Sequence, residues 1–271
     1  MKSLKVGLQL YSIRDEMEKS VEESLKTVKE MGYDYVEFAG YFGKTAEEIK
    51  SLLDRYDLKC ISVHQSPDLF VSDGEPAVEY LKTIGAKYCA IPWYDASKLK
   101  GTDKWDETVK TFVKVGKLLK DNRIQLLYHN HDFEFKQFEG KFLLDWLYET
   151  LSPNIFAPEI DTCWVRYAGY DPVEYLKKYT GRISVVHLKD FVGGTSDSPV
   201  YELIGDDKKS DKNVDFKFVP LGRGIQDFQA IINASAEAGA EYVIVEQDQS
   251  YDIPSLEAVQ ISREYLKTLG I

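Results

Sequence analysis

An apolar run, Leu126-Leu127-Tyr128, gives way at His129-Asn130-His131-Asp132-Phe133-Glu134-Phe135 to two imidazoles, an amide and two carboxylates. The chain has four histidines, and the other two, His64 and His187, also close apolar runs (Cys60-Ile61-Ser62-Val63-His64 and Ile183-Ser184-Val185-Val186-His187). Other apolar runs finish at Glu37, Trp93, Asp161 and Glu246, with Gln9, Tyr11, Lys189 and Asp248 at or just past a run's end. Residues two apart on a strand share a face. His129 and His131 therefore point the same way, as do His187 and Lys189, and Glu246 and Asp248. Imidazoles and carboxylates converging from several strand ends suit one divalent cation with open water positions, Mn2+, Zn2+, Co2+ or Mg2+.

Those groups meet only if their strands run parallel and end at one edge, where α/β sheets and barrels carry their chemistry. Periodicity predicts strands over 5–11, 35–38, 58–64, 87–92, 124–130, 155–161, 183–187 and 242–246. Helical spacing fills the intervals. Ser20 with Glu23 reads as a capping box, Thr45 as a cap, and Asp171 as a cap with Pro172 at the first helical position. Gly32-Tyr33-Asp34-Tyr35-Val36, Gly85-Ala86-Lys87-Tyr88-Cys89 and Gly239-Ala240-Glu241-Tyr242-Val243 repeat one pattern: a helix-ending glycine, a short connection, then a tyrosine opening a buried strand. Eight strand–helix units without a linker predict one α/β domain over 1–271, a (β/α)8 barrel. A doubly wound open sheet is the runner-up, disfavoured because no GxGxxG or phosphate-binding loop follows an early strand. The segment 191–220 has no sustained periodicity and reads as an excursion over the barrel mouth. Within it, the charged run 206–212 reads as solvated surface.

Composition narrows the partners. Hydrophobic residues make up 44% of the 271, enough for a substantial core, and the formal net charge is −11. That charge disfavours nucleic acid, which demands a basic stripe, and a membrane surface. No apolar run approaches the roughly 20 residues needed to span a bilayer. Cys60, Cys89 and Cys163 lie in apolar runs, outside any CxxC pair, and read as buried free thiols of a reducing cytosol. The start lacks the apolar core of a secretory signal. The expectation is a cytoplasmic protein. Barrels of this kind often associate, so a homo-oligomer is allowed for, although no stretch defines an interface.

Tyr128-His129-Asn130-His131-Asp132-Phe133-Glu134-Phe135, then Glu159-Ile160-Asp161-Thr162-Cys163-Trp164, His187-Leu188-Lys189-Asp190 and Val245-Glu246-Gln247-Asp248, together with the opening Gly7-Leu8-Gln9-Leu10-Tyr11-Ser12, resemble the xylose isomerase-like TIM-barrel superfamily of sugar (phosphate) isomerases and epimerases. The resemblance covers essentially the whole chain. It implies a metal set of Glu, Asp, His and Glu from successive later strands. Asp161, His187 and Glu246 match three of these. Glu134 is the candidate for the first, with His131 or His129 as substitutes where the ketose 3-epimerase branch carries its Glu inside the strand.

The expected partner is a small sugar or cyclitol. A bound cation would polarise a carbonyl, and a carboxylate would take the proton alpha to it. Glu246 and Glu134 are the favoured acid–base pair, with His131 as the rival. Reprotonation gives isomerisation or epimerisation, the leading reading. The alternative is elimination or cleavage on an inosose-like ketone or 3-keto-glycoside, favoured by the histidine-rich fifth strand. His64, His129, Lys189, Glu37, Trp93 and Arg223 are candidates for substrate contact, with Trp93 and Trp164 as a wall for a sugar face and Gly222-Arg223-Gly224 as a phosphate clasp. A remote alternative is a DNA-repair endonuclease of the same superfamily. Its zinc ligands fail here at Pro92-Trp93 and Trp164, and the acidic balance opposes it.

Overall fold

The computed structural model describes residues 4–194 and 216–271. Eight parallel strands close into a barrel: β1 (Lys5–Gln9), β2 (Tyr35–Ala39), β3 (Lys59–His64), β4 (Tyr88–Ile91), β5 (Gln125–His129), β6 (Ala157–Asp161), β7 (Val185–Leu188) and β8 (Tyr242–Val245). Each pairs with its neighbour in chain order, and β8 pairs with β1. The predicted barrel is the observed one.

The repeated Gly-x-x-Tyr pattern has a structural meaning. Gly32, Gly85 and Gly239 end helices with φ of +93°, +84° and +101°, the left-handed turn that glycine adopts without a Cβ penalty. The tyrosines that follow plug the amino end of the barrel. Tyr35 and Tyr88 both pack edge-on against Tyr242, with ring centroids 5.2 and 6.2 Å apart. Above them Ile61, Ala90, Leu127, Ala157, Val185 and Ile244 form an apolar layer. The inward positions above that layer are polar, so the barrel interior changes from oil to charge along its axis.

The expected caps at Thr45 and Asp171 are present, while the expected box at Ser20 is made on one side only. Ser20 accepts from the Glu23 N–H, Asp171 from the Val173 N–H, and Thr45 with Glu48 forms a reciprocal box. Element ends differ from the sequence expectation in explicable ways. The first strand stops at Gln9, because its Oε1 accepts the Tyr11 N–H and starts a short 3-10 turn. Short helices at Arg14–Lys19, Pro67–Ser72 and Thr162–Tyr167 lie in βα connections too brief to show periodicity. In the excursion, 190–192 pairs antiparallel with 217–219. The charged run 206–212 lies outside the described residues. Among the described residues, no helix is long and apolar enough to cross a membrane.

The helix Trp105–Asp121 sets the approach to β6. Its Gly116 lies against the connection leading into that strand, and a Cβ there would stand 2.4 Å from the Ile155 carbonyl oxygen. Alanine would gain roughly 1 kcal/mol of helix propensity, but the clash is with backbone and no rotamer relieves it. Gly116→Ala is expected to lower stability by about 1–3 kcal/mol in chemical denaturation. A stabilised variant would show that the helix does not pack this closely.

Candidate active site

Hydrogen bonds at the strand ends fix the polar layer. The Asn130 side chain bridges the ends of β5 and β6, accepting from the Asp161 N–H at 3.0 Å and donating to the Asp161 carbonyl at 3.3 Å. Asp161 caps the helix Thr162–Tyr167, its Oδ1 accepting from the Cys163 and Trp164 N–H groups at 2.8 and 3.3 Å. Its second oxygen, Oδ2, pairs with the Lys189 ammonium at 2.9 Å. The register sets Asp161 beside His187. Thr162 Oγ1 donates to the His187 carbonyl at 2.9 Å and ties the two strand ends together.

The polar layer has two halves that share His129 and His187. In the outer half, His187 Nδ1 lies 2.8 Å from Glu246 Oε2. His129 Nε2 lies 3.6 Å from Asp161 Oδ2 and 3.8 Å from Glu246 Oε2. Lys189 Nζ is 2.9, 3.0 and 2.9 Å from Asp161, Glu246 and Asp248. In the inner half, Glu37 Oε2 accepts from Gln9 Nε2 at 2.8 Å and lies 2.7 Å from His187 Nε2 and 3.2 Å from His64 Nε2. Glu159 Oε2 faces His64 Nε2 at 2.9 Å, His129 Nδ1 at 3.4 Å and His187 Nε2 at 3.6 Å. All of these side chains are buried, the most accessible being His64 at 8%.

Packing so many ionisable groups together divides their protonation. Burial favours neutral forms throughout. For Glu37 that push is outweighed by the His64 and His187 imidazoles, which hold its carboxyl well below the usual range. Burial likewise works against charge on His64, but Glu37 and Glu159 raise it to about 10. His187 is raised well above its ordinary value by Glu37, Glu246 and Glu159 against the same desolvation. Burial and the neighbouring imidazoles push His129 down. Burial and the Lys189 ammonium push His131 down to about 3. Glu159, buried next to Glu37, rises to about 7. Asp248, also buried, rises to about 6 despite Lys189.

Of the residues singled out in the sequence, Asp161, His187 and Glu246 do converge, and His129 joins them. One donor atom from each of the four lies within 4.8 Å of the others. Oxygen and nitrogen donors in this mixture fit a divalent transition metal. Glu134, expected as the first ligand, is placed elsewhere. It is fully buried, with Tyr128 Oη donating to one oxygen at 2.8 Å and the His131 N–H to the other at 2.8 Å. It holds the His131 turn from behind. Glu37 and His64 belong to the inner half. Lys189 is an internal counter-ion, pulled well above its ordinary pKa by Asp161, Asp248 and Glu246 against burial.

His131 is half-buried, tilted against Trp164 with centroids 5.4 Å apart. Trp164 is buried in an aromatic cluster with Tyr167, Phe191, Phe216 and Phe218. Trp93 is 49% exposed. The phosphate clasp is corrected. The Gly222 and Gly224 N–H groups donate to Asp190 Oδ2 at 3.0 and 2.8 Å, so an internal carboxylate occupies the anion position, and Arg223 is exposed. Sequence reasoning passed over Glu159 as a site residue. The signal was available, since Glu159 stands two before Asp161 on the same face of a buried strand.

A family model described as xylose isomerase-like TIM barrel matches residues 25–269, and the chain belongs to that family. Among curated relatives, an inosose dehydratase of Clostridium perfringens (strain 13 / Type A) is 25% identical over 274 residues, covering 92% of this chain and 90% of the relative. A sugar phosphate isomerase/epimerase from Parabacteroides distasonis ATCC 8503 shares the fold with a TM-score of 0.79 at 21% identity, over 98% of this chain and 94% of the other. The IOLI protein, solved with a binding zinc atom, superposes with a TM-score of 0.72 at 16% identity, over 98% of both chains.

Glu134 yields a pH prediction. Burial raises its carboxyl from the usual 4.5 to about 8, against hydrogen bonds from Tyr128 and the His131 backbone. Its folded-state pKa lies above the unfolded one. The stability it contributes is therefore full below the unfolded value and is lost as pH rises through about 8. Glu134→Gln can accept from the His131 N–H through its oxygen and donate through its amide nitrogen to Tyr128 Oη, and it cannot ionise. Denaturation midpoints measured at about pH 5 and about pH 8.5 are expected to differ less for the variant than for the wild-type chain. Equal differences would mean that Glu134 ionises in both states alike.

Proposed function

We propose that this protein is a dehydratase of small keto-cyclitols or related keto sugars, of the inosose class, acting through a carbanion alpha to the carbonyl. The sequence alone placed isomerisation or epimerisation first and elimination second. Similarity to inosose dehydratases over 92% of the chain reverses that order. The observation that carries the reading is the convergence of Asp161, His187, Glu246 and His129 donor atoms, with Lys189 and the His131 turn at the same strand ends. His131 is kept uncharged near pH 7 by burial and by Lys189. Lys189 is held by Asp161, Glu246 and Asp248.

A divalent cation on Asp161, His187 and Glu246, with His129 in reach, would polarise the substrate carbonyl when bound. Zinc in the IOLI neighbour supports such a site, and Mn2+, Zn2+, Co2+ and Mg2+ all remain within its donor chemistry. The chain's residues supply the rest. His131 accepts the proton alpha to the carbonyl, and the C–H electron pair becomes the enolate. The Lys189 ammonium, anchored by Asp248, stabilises the oxygen that gains charge. The enolate re-forms the carbonyl as the beta C–O bond breaks, and the His131 imidazolium returns its proton to the departing oxygen as water. Glu134 fixes the His131 turn, and Trp164 braces its ring. Glu246 is a less available base, since His187 and Lys189 both hold its Oε2. Three buried free thiols fit a reducing, cytoplasmic setting as part of this proposal.

The test is a panel of inososes, ketoses and 3-keto-glucosides followed by mass spectrometry in D2O. The expected outcome is an inosose product lighter by one water, abolished by chelator and restored by Mn2+ or Zn2+. His131→Asn should lower kcat by about 10²–10⁴-fold with an unchanged melting profile. Deuterium incorporation into a ketose with no loss of water would instead establish an isomerase or epimerase.

A further inference from the structure

The inner half of the polar layer is not needed to hold the cation just described, yet it is built from the same kinds of ligand. His64, His129, Glu159 and His187 place one donor atom each within 4.8 Å of one another. Four polar atoms of this half have no hydrogen-bond partner although their residues are almost wholly buried: Glu37 Oε1, Glu159 Oε1, His187 Nε2 and His129 Nδ1, the last 3.4 Å from Glu159 Oε2. Buried donors and acceptors are nearly always satisfied, so these orphans mark a missing partner.

Charge points the same way. Glu37, Glu159, Asp161, Glu246 and Asp248 are buried together with one ammonium, Lys189. His64 and His187 face this excess of carboxylates as its nearest counter-groups, and cations on the same imidazoles would take over that role.

We propose that the barrel holds a second, inner divalent cation, bound by His64 Nε2, Glu159 and His129 Nδ1, beneath the outer ion on Asp161, His187 and Glu246. The inference rests on the outer site proposed above. The division uses each imidazole once. His187 ligates outward through Nδ1, and its Nε2 faces Glu37 Oε2 at 2.7 Å. His129 ligates inward through Nδ1, and its Nε2 faces Asp161 Oδ2 at 3.6 Å. The His187 ring thus has a carboxylate close behind its other nitrogen, the arrangement that orients metal-bound histidines. Glu37, held by Gln9, is a second-layer carboxylate for the pair. Two imidazoles and one carboxylate make the inner site the softer one, suited to Zn2+, Co2+ or Fe2+, while the carboxylate-richer outer site also accepts Mn2+ or Mg2+.

The test counts ions and does not need a substrate. Metal-stripped full-length protein is dialysed against Co2+, and bound cobalt is measured by elemental analysis alongside the visible absorption spectrum. Two ions per chain are expected for the wild type. Glu159→Gln and His64→Asn, made separately so that one folding failure does not end the test, should each bind one. Asp161→Asn should also bind one, with the spectrum of the inner set. One ion in the wild type, unchanged by Glu159→Gln and His64→Asn but lost in Asp161→Asn, overturns the inner site and leaves the outer one standing. No bound cobalt overturns both. Two ions that persist in both Glu159→Gln and His64→Asn place the second elsewhere and refute the assignment.

Discussion

The structure depends on keeping five carboxylates dehydrated at one end of a barrel. A buried carboxylate without a counter-charge costs several kcal/mol, and these lie within one layer of strand ends. Lys189 meets three of them directly. His64 and His187 meet the others as proton carriers. That concentration of like charge is unfavourable for folding and informative about function. The tyrosine plug and the apolar layer at the opposite end supply stabilisation that offsets it. The barrel thus separates the part that holds the fold from the part that does chemistry.

Rigid support keeps the charged layer from relaxing. Asn130 links the ends of β5 and β6, and Asp161 is fixed by two backbone N–H groups of the helix that follows it. Asp190, next to Lys189, gathers N–H groups from Phe191, Gly222, Gly224 and Gln226 and so folds the returning loop against the end of β7. A Cβ on Gly224 would fall 2.1 Å from Asp190 Oδ1, which is why glycine stands there. Preorganisation of this kind lets a site stabilise developing charge without reorganising at the moment of reaction.

Much of this was legible in the sequence, because strand periodicity and polar strand ends are both local signals. The eight strands, the caps at Thr45 and Asp171, the repeated Gly-x-x-Tyr unit and the convergence of Asp161, His187 and Glu246 all follow from them. The fourth member was legible only as a choice among Glu134, His131 and His129, and the structure sets His129 beside the other three. Past a strand's end alternation ceases, and nothing local tells whether Glu134 turns toward the axis, as expected, or beneath the His131 turn, as observed. Glu159 was overlooked because a carboxylate inside a strand reads as an ordinary polar position until its neighbours are known. The Gly222-Arg223-Gly224 turn looked like an anion clasp and is one, but its anion is Asp190, 32 residues earlier in the chain.

Anomalous diffraction from crystals soaked in Mn2+, recorded at the manganese edge, tests the central claim most directly. The account predicts a peak with Asp161, His187 and Glu246 donor atoms about 2.0–2.3 Å away, and the Lys189 ammonium drawn back toward Asp248. A peak confined to surface carboxylates, with Lys189 still bridging Asp161 and Glu246, would contradict it.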